Sequence, residues 1–184
     1  MKTLIIVDPQ NDFITGTLPV SGAEEQMNNL AKKLSHIAVD HIIVTMDCHP
    51  IKHCSFSEQG GEWPSHCVKY SHGAAIWEPL MEALKHHSAP ITFLEKGCQL
   101  DKDEYSAFEH SYPQILKESN SILICGIAGN VCVLNSIKDL IHHGLTKKLS
   151  VITDASPSLD DGSALAQLIE ENKIHTTTLE EAIK

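Results

Sequence analysis

The strongest constraint on this chain is a rhythm. Short runs rich in Ile, Val and Leu recur between stretches of helical period. "TLIIVD" (3–8), "HIIVTMD" (41–47), "ITFLEK" (91–96), "SILICGI" (121–127) and "LSVITDA" (149–155) read as strands, with "IHTTTL" (174–179) as a short sixth. Runs this continuously apolar lack the alternation of a half-solvated sheet and predict strands buried on both faces. Helices are expected at 23–38, 74–87, 130–143 and 162–172. In the third, Val131, Leu134, Ile137, Lys138 and Ile141 recur at three- and four-residue spacing and outline one core-facing stripe, which Gly144 is placed to end. A strand–helix–strand succession predicts an α/β fold: a three-layer α/β/α, doubly wound parallel six-stranded sheet. No repeat, linker or low-complexity tract divides residues 1–184, which read as one domain.

In such sheets ligands bind beyond the carboxyl ends of the strands. Polar residues mark several of those ends here: Asp8, Asp47, Lys96 and Asp154, the last also suited to capping a following turn. The fourth strand runs into the turn 126–132, with Gly126 and Gly129 permitting close backbone approach. Long irregular stretches at 48–72 and 97–111 follow the second and third strands, and long loops in compact domains are often functional.

Cys132 can be read two ways. As packing material it would be one more buried thiol, the role assigned to Cys125 within its strand. As a nucleophile it sits near a helix N-terminus, which favours a thiolate, and at a strand's carboxyl end. A free thiol with a pKa of about 8.5 is mostly protonated at neutral pH, so a base or a cation must assist. Asp8 and Lys96 are the candidates, each at the end of a different strand. Taken singly, either is an ordinary strand-end residue; together with Cys132 they form a thiol, an acid and an ammonium at one sheet edge.

The stretch "DCHPIKHCSFSEQGGEWPSHCV" (47–68) offers Asp47 and His49, two apart and therefore on one side of an extended chain. His53, Glu58 and His66 follow. Carboxylate plus imidazole suits a first-row transition metal, and three protein ligands with open positions mark a catalytic or substrate-binding ion. The alternative is a polar loop in a chain with 12 histidines. A structural zinc on Cys48, Cys54 and Cys67 is a weaker variant. Phe13, Trp63 and Tyr105 lie in loops, where they either cover the core or wall a flat ligand.

Composition excludes more than it selects. A formal charge of −10 leaves no electrostatic footprint for nucleic acid or anionic lipid. No segment approaches the roughly 20 apolar residues of a membrane span. Asp8 interrupts an N-terminal apolar run too short for a signal peptide, so the chain reads as cytoplasmic, with its 6 cysteines reduced. No C-x-x-C pair indicates a redox site, and no G-x-G-x-x-G or P-loop string indicates nucleotide binding.

These motifs, in this order, resemble one family. "IIVDPQNDF", D-x-H after the second strand, "WPSHCV", "EKG", "YSAF" and "GIAGNVCV" are similar to the isochorismatase-like cysteine hydrolases, nearest to the nicotinamidase/pyrazinamidase branch. The resemblance implies a sheet order of 3-2-1-4-5-6. It implies catalytic Asp8, Lys96 and Cys132, with the backbone N–H groups of Ala128 and Cys132 as oxyanion donors and a cis peptide before Ala128. It implies a divalent metal, zinc first with iron or manganese as alternates, on Asp47, His49 and His66. Phe13, Trp63 and Tyr105 would hold the substrate. The activity implied is hydrolysis of nicotinamide, and of pyrazinamide, in NAD salvage. Another small-amide or carbamoyl hydrolase of the family, or a non-enzymatic ligand-binding domain, are the alternatives. The expected partner is a small-molecule amide, and assembly into a homo-oligomer stays open.

Overall fold

The computed structural model describes residues 1–184. Strands β1 Lys2–Val7, β2 His41–Asp47, β3 Ile91–Lys96, β4 Ser121–Gly126, β5 Leu149–Ile152 and β6 His175–Thr177 form one sheet. All neighbours are parallel and the order is β3-β2-β1-β4-β5-β6. The helices are α1 Asn11–Ile14, α2 Ala23–Lys33, α3 Glu78–His86, α4 Gln114–Glu118, α5 Leu134–His142, α6 Ser163–Asn172 and α7 Leu179–Ala182. No helix is long and apolar enough to cross a membrane.

The two-residue period of a strand builds the three layers. Leu4 and Ile6 of β1 face one side and pack with Met27 and Leu30 of α2 and Leu80 and Leu84 of α3. Ile5 and Val7 face the other and pack with Ile137 and Leu140 of α5 and Leu165 of α6. Both faces of the central strands are thus buried in separate apolar cores, as their sequences require. β3 departs from that expectation. It is an edge strand with Phe93 and Glu95 exposed, and Ile91 and Leu94 only half-buried, one against each core.

Helix boundaries differ from the sequence reading where tertiary bonds intervene. Residues 74–77 do not join α3: Trp77 N–H donates to Pro9 O at 2.8 Å, and Pro79 sits in the first turn, where no N–H is needed. α2 stops at Lys33, and a tighter turn, Leu34–His36, finishes the segment. The third predicted helix begins as a π-helical turn, Gly129–Val133, in which Val133 N–H reaches Ala128 O at 3.1 Å. The buried residues of α5 are Leu134, Ser136, Ile137 and Leu140; Val131 and Ile141 are half-buried against the same core, and of the predicted stripe only Lys138 points to solvent. Gly144, at φ +78°, ends the segment as expected. β5 ends at Ile152, and Asp154 then accepts the Leu179 N–H at 2.8 Å, capping α7.

The strand order reverses between β1 and β4, the crevice where such sheets open a site. Close approach there depends on Gly126, at φ +130°: a Cβ would lie 2.1 Å from Val7 O. The close approach foreseen for this glycine is therefore to the neighbouring strand.

Candidate active site

Three strands deliver one charged cluster. Asp8 follows β1 in a left-handed conformation, φ +45°, of the kind that costs an L-residue energy and gathers at functional sites. Thr45 fixes it: Asp8 N–H donates to Thr45 O at 3.1 Å and the Thr45 hydroxyl donates to Oδ1 at 2.7 Å. Lys96 closes β3, paired in register with Asp47. Its Nζ lies 2.9 Å from Asp8 Oδ2 and 3.5 Å from Cys132 Sγ, and it contacts Asp47 Oδ1. Cys132 occupies the π-helical turn. Sequence positions far apart therefore converge, with Asp8 at 0%, Lys96 at 3% and Cys132 at 5% exposure.

Burial dominates the electrostatics. It raises the Asp8 pKa against the pull of Lys96, with the nearby Asp47 charge adding to the rise. It also works against Asp47, yet the Lys96 ammonium and His49 hold that carboxyl well below its ordinary range. Lys96 is pushed up despite burial by Asp47, Asp8 and Cys132, so it stays an ammonium. The Cys132 thiol is pushed up by burial and by both carboxylates, against Lys96. Burial and the carboxylates thus oppose what the helix terminus and Lys96 favour, in keeping with a thiol that needs a base. The sulfur lies within 4.8 Å of an Asp8 carboxylate oxygen, and Asp8 Oδ2 faces the Lys96 ammonium at 2.9 Å.

A second group adjoins this one. Asp47, His49 and His66 place their ligand atoms within 4.8 Å of one another. His49 Nε2 is 3.5 Å and His66 Nε2 is 3.9 Å from Asp47 Oδ2. The opposite ring nitrogens are held by carbonyls: His49 Nδ1 donates to Gly97 O at 3.0 Å and His66 Nδ1 to Pro64 O at 2.7 Å. Such bonds fix the tautomer that leaves Nε2 as a lone-pair donor, the arrangement that metal-binding histidines use. The donor set therefore fits a first-row divalent ion. Gly97 takes φ +64°, and a Cβ there would lie 2.4 Å from His49 Cε1.

His53 is buried but both its nitrogens are engaged, with Ser55 Oγ at 2.7 Å and Lys102 O at 2.9 Å. It stacks on His49, with ring centroids 4.2 Å apart. Glu58 is exposed in a surface turn, Ser57–Gln59. Neither belongs to the donor group. Cys48, Cys54 and Cys67 form no cluster either; Cys48 instead lies with Glu95 and Cys98. Phe13, Trp63 and Tyr105 line the cavity that Ala128 and Cys132 also border. Trp63 Nε1 donates to the Tyr105 hydroxyl at 3.1 Å, tying two long loops together. The Ile127–Ala128 peptide is cis.

Residues 2–179 match the isochorismatase domain. The chain belongs to the isochorismatase family. It is 30% identical to a nicotinamidase of Saccharomyces cerevisiae over 95% of this chain and 97% of that one. Among solved structures it superposes on PnC1 from L. infantum in complex with nicotinate with a TM-score of 0.85 and 27% identity, covering 98% of this chain and 94% of that one. It also matches the pyrazinamidase of Pyrococcus horikoshii in complex with zinc, with a TM-score of 0.76 and 29% identity over 96% and 98% of the two chains.

Two residues of this isochorismatase-family site escaped the sequence reading. Gln10 grips the backbone of Asp47 from both sides: its Oε1 accepts the Asp47 N–H at 2.8 Å and its Nε2 donates to Asp47 O at 2.8 Å. Asp12 accepts the Cys67 N–H at 2.7 Å, anchoring the loop that carries His66. Both lie in "DPQND", a string that draws attention as a turn; nothing local tells which distant backbone it holds. Leu18, Val20 and Leu159 complete the apolar wall.

Proposed function

We propose that this chain is an amidohydrolase that converts nicotinamide to nicotinate and ammonia through a thioester on Cys132, serving NAD salvage, with pyrazinamide as a second substrate. The observation that carries the reading is the contact of one buried ammonium, Lys96, with the Asp8 carboxylate and the Cys132 sulfur, at 2.9 and 3.5 Å. The nicotinamidase relatives and the nicotinate and zinc complexes among similar structures support the substrate class.

The substrate ring lies between Phe13, Trp63 and Tyr105, with its carboxamide over Cys132. Asp8 Oδ2 takes the thiol proton as the sulfur attacks the carboxamide carbon. Charge then develops on the carbonyl oxygen. The Ala128 N–H, which donates to no protein acceptor, and the Cys132 N–H receive it. Donors that meet charge only in the transition state lower the barrier, and each is worth about 3 kcal/mol. Asp8 returns its proton to the departing nitrogen, ammonia leaves, and a thioester remains. Asp8 next deprotonates water, which attacks the thioester; nicotinate leaves and the thiol is restored. Lys96 stays protonated throughout and balances charge as the proton moves between Asp8 and sulfur. A divalent ion, zinc first, held by Asp47, His49 and His66 would supply an electrophilic anchor for the pyridine nitrogen.

The test is ammonia release from nicotinamide, pyrazinamide and a carbamoyl amide under identical conditions. Turnover of the first two and none of the third is expected; the reverse order overturns the substrate class. Exhaustive chelation is expected to weaken nicotinamide binding at least about tenfold, measured by calorimetry, and added zinc to restore it. Unchanged affinity would remove the metal from the proposal while leaving the thiol chemistry standing.

A further inference from the structure

The alternation that sends Asp47 and Lys96 to the charged cluster sends their neighbours elsewhere. Asp47 and Lys96 are register partners on β2 and β3, so Cys48 and Glu95 project from the opposite face. Cys98, two residues beyond β3, folds back to join them: its Sγ lies 3.9 Å from Glu95 Oε2. The ligand atoms of Cys48, Glu95 and Cys98 all lie within 4.8 Å of one another. Their side chains meet the charged cluster only at its backbone, where Cys98 Sγ lies 3.7 Å from Lys96 O.

We propose that Cys48, Cys98 and Glu95 form a second metal site, for a soft, thiophilic divalent cation such as zinc. Thiolate pairs select such ions, and two sulfurs with one carboxylate leave a fourth tetrahedral position for water. Charge supports the assignment. Two thiolates and a carboxylate around a dication leave one net negative charge, and Lys69 Nζ stands 3.0 Å from Glu95 Oε2 to balance it. Lys69 engages that oxygen alone, and no hydrogen bond takes Oε1. Access is open from one side, since Cys98 and Glu95 are exposed and Cys48 is buried. The ion would clip the end of edge strand β3 to the end of β2, the two stations from which Lys96 and Asp47 enter the cavity.

The site is tested on the reduced, metal-free full chain by adding cadmium and recording both the bound metal per chain and the ultraviolet sulfur-to-cadmium charge-transfer band. The parent is expected to take two ions per chain and to show the band. Cys98→Ser, an exposed and conservative change, is expected to lose the band and one ion while hydrolysing nicotinamide as the parent does when zinc-loaded. Cys48→Ser should lose the band too. Cys132→Ala reports on the other sulfur near carboxylates and should keep it. A band that survives Cys98→Ser or vanishes in Cys132→Ala, or a parent that takes a single ion without a band, overturns the site. The band and its response to the three variants involve no amide, so failure of the proposed reaction would leave that part of the test untouched.

Discussion

Cys132→Ala is expected to fold like the parent and to release ammonia from nicotinamide at least on the order of ten-thousand-fold more slowly, the scale on which hydrolases lose rate without their nucleophile. Stability should move little, by about 1 kcal/mol, because one sulfur leaves a small hole in a wall otherwise made by Val7, Val133 and their neighbours. The two readouts separate the roles weighed for this cysteine. Packing material would cost stability and spare the rate; a nucleophile costs rate and spares stability. Thermal unfolding and an ammonia assay on one purified sample decide between them, and sustained ammonia release would end the thioester mechanism. The Cys125 counterpart should behave oppositely. Buried within β4 in the apolar core, Cys125→Ala is expected to lower stability by about 1–2 kcal/mol and leave turnover within a few-fold of the parent.

The interior of the fold was legible because burial on both faces leaves a continuous apolar run, which β1, β2 and β4 display. The same reasoning failed for β3. "ITFLEK" looks like its neighbours in composition, but nothing local reveals that it closes an edge where Phe93 meets solvent. Three strand-end polar residues, Asp8, Asp47 and Lys96, meet in one buried cluster, since a strand cannot bury Asp or Lys at its end without a partner. Asp154 shows the limit: equally well marked, it caps a helix. The donor trio was harder. Five residues between 47 and 66 carried ligand chemistry, and what separates His66 from His53 is whether a ring nitrogen is already committed, to Pro64 O on one side only or to Ser55 and Lys102 on both. That is a property of loop closure. Gln10 and Asp12 act on backbone 37 and 55 residues away, so no short pattern contains their role. The need for a base and a cation beside Cys132 was legible in the chemistry of a free thiol, whereas the opposing push of burial and of Asp47 appears only once the strands converge.

Lys96→Met tests that convergence directly. The methionine keeps most of the stem and removes the charge that faces Asp8 and Asp47. Breaking a buried pair while leaving its partners costs about 3–5 kcal/mol, and two buried carboxylates here would share one hydrophobic setting. Activity should fall with stability, because the proton moving between sulfur and Asp8 loses its counter-ion. The pH dependence carries the sign that a mere packing defect lacks. In the metal-free parent, Asp47 sits below its unfolded value, so its contribution is present above that value and is lost as pH falls through the folded one. Without Lys96, burial and mutual repulsion raise both carboxyls above their unfolded values. The folded variant then binds protons more tightly than the unfolded chain, and its stability falls as pH rises from the ordinary carboxylate range toward neutrality. Urea unfolding of both metal-free proteins at several pH values should therefore show a deficit that widens with pH. A deficit of constant size would mean that Lys96 acts through its stem, and the ammonium would lose its place between the acid and the thiol.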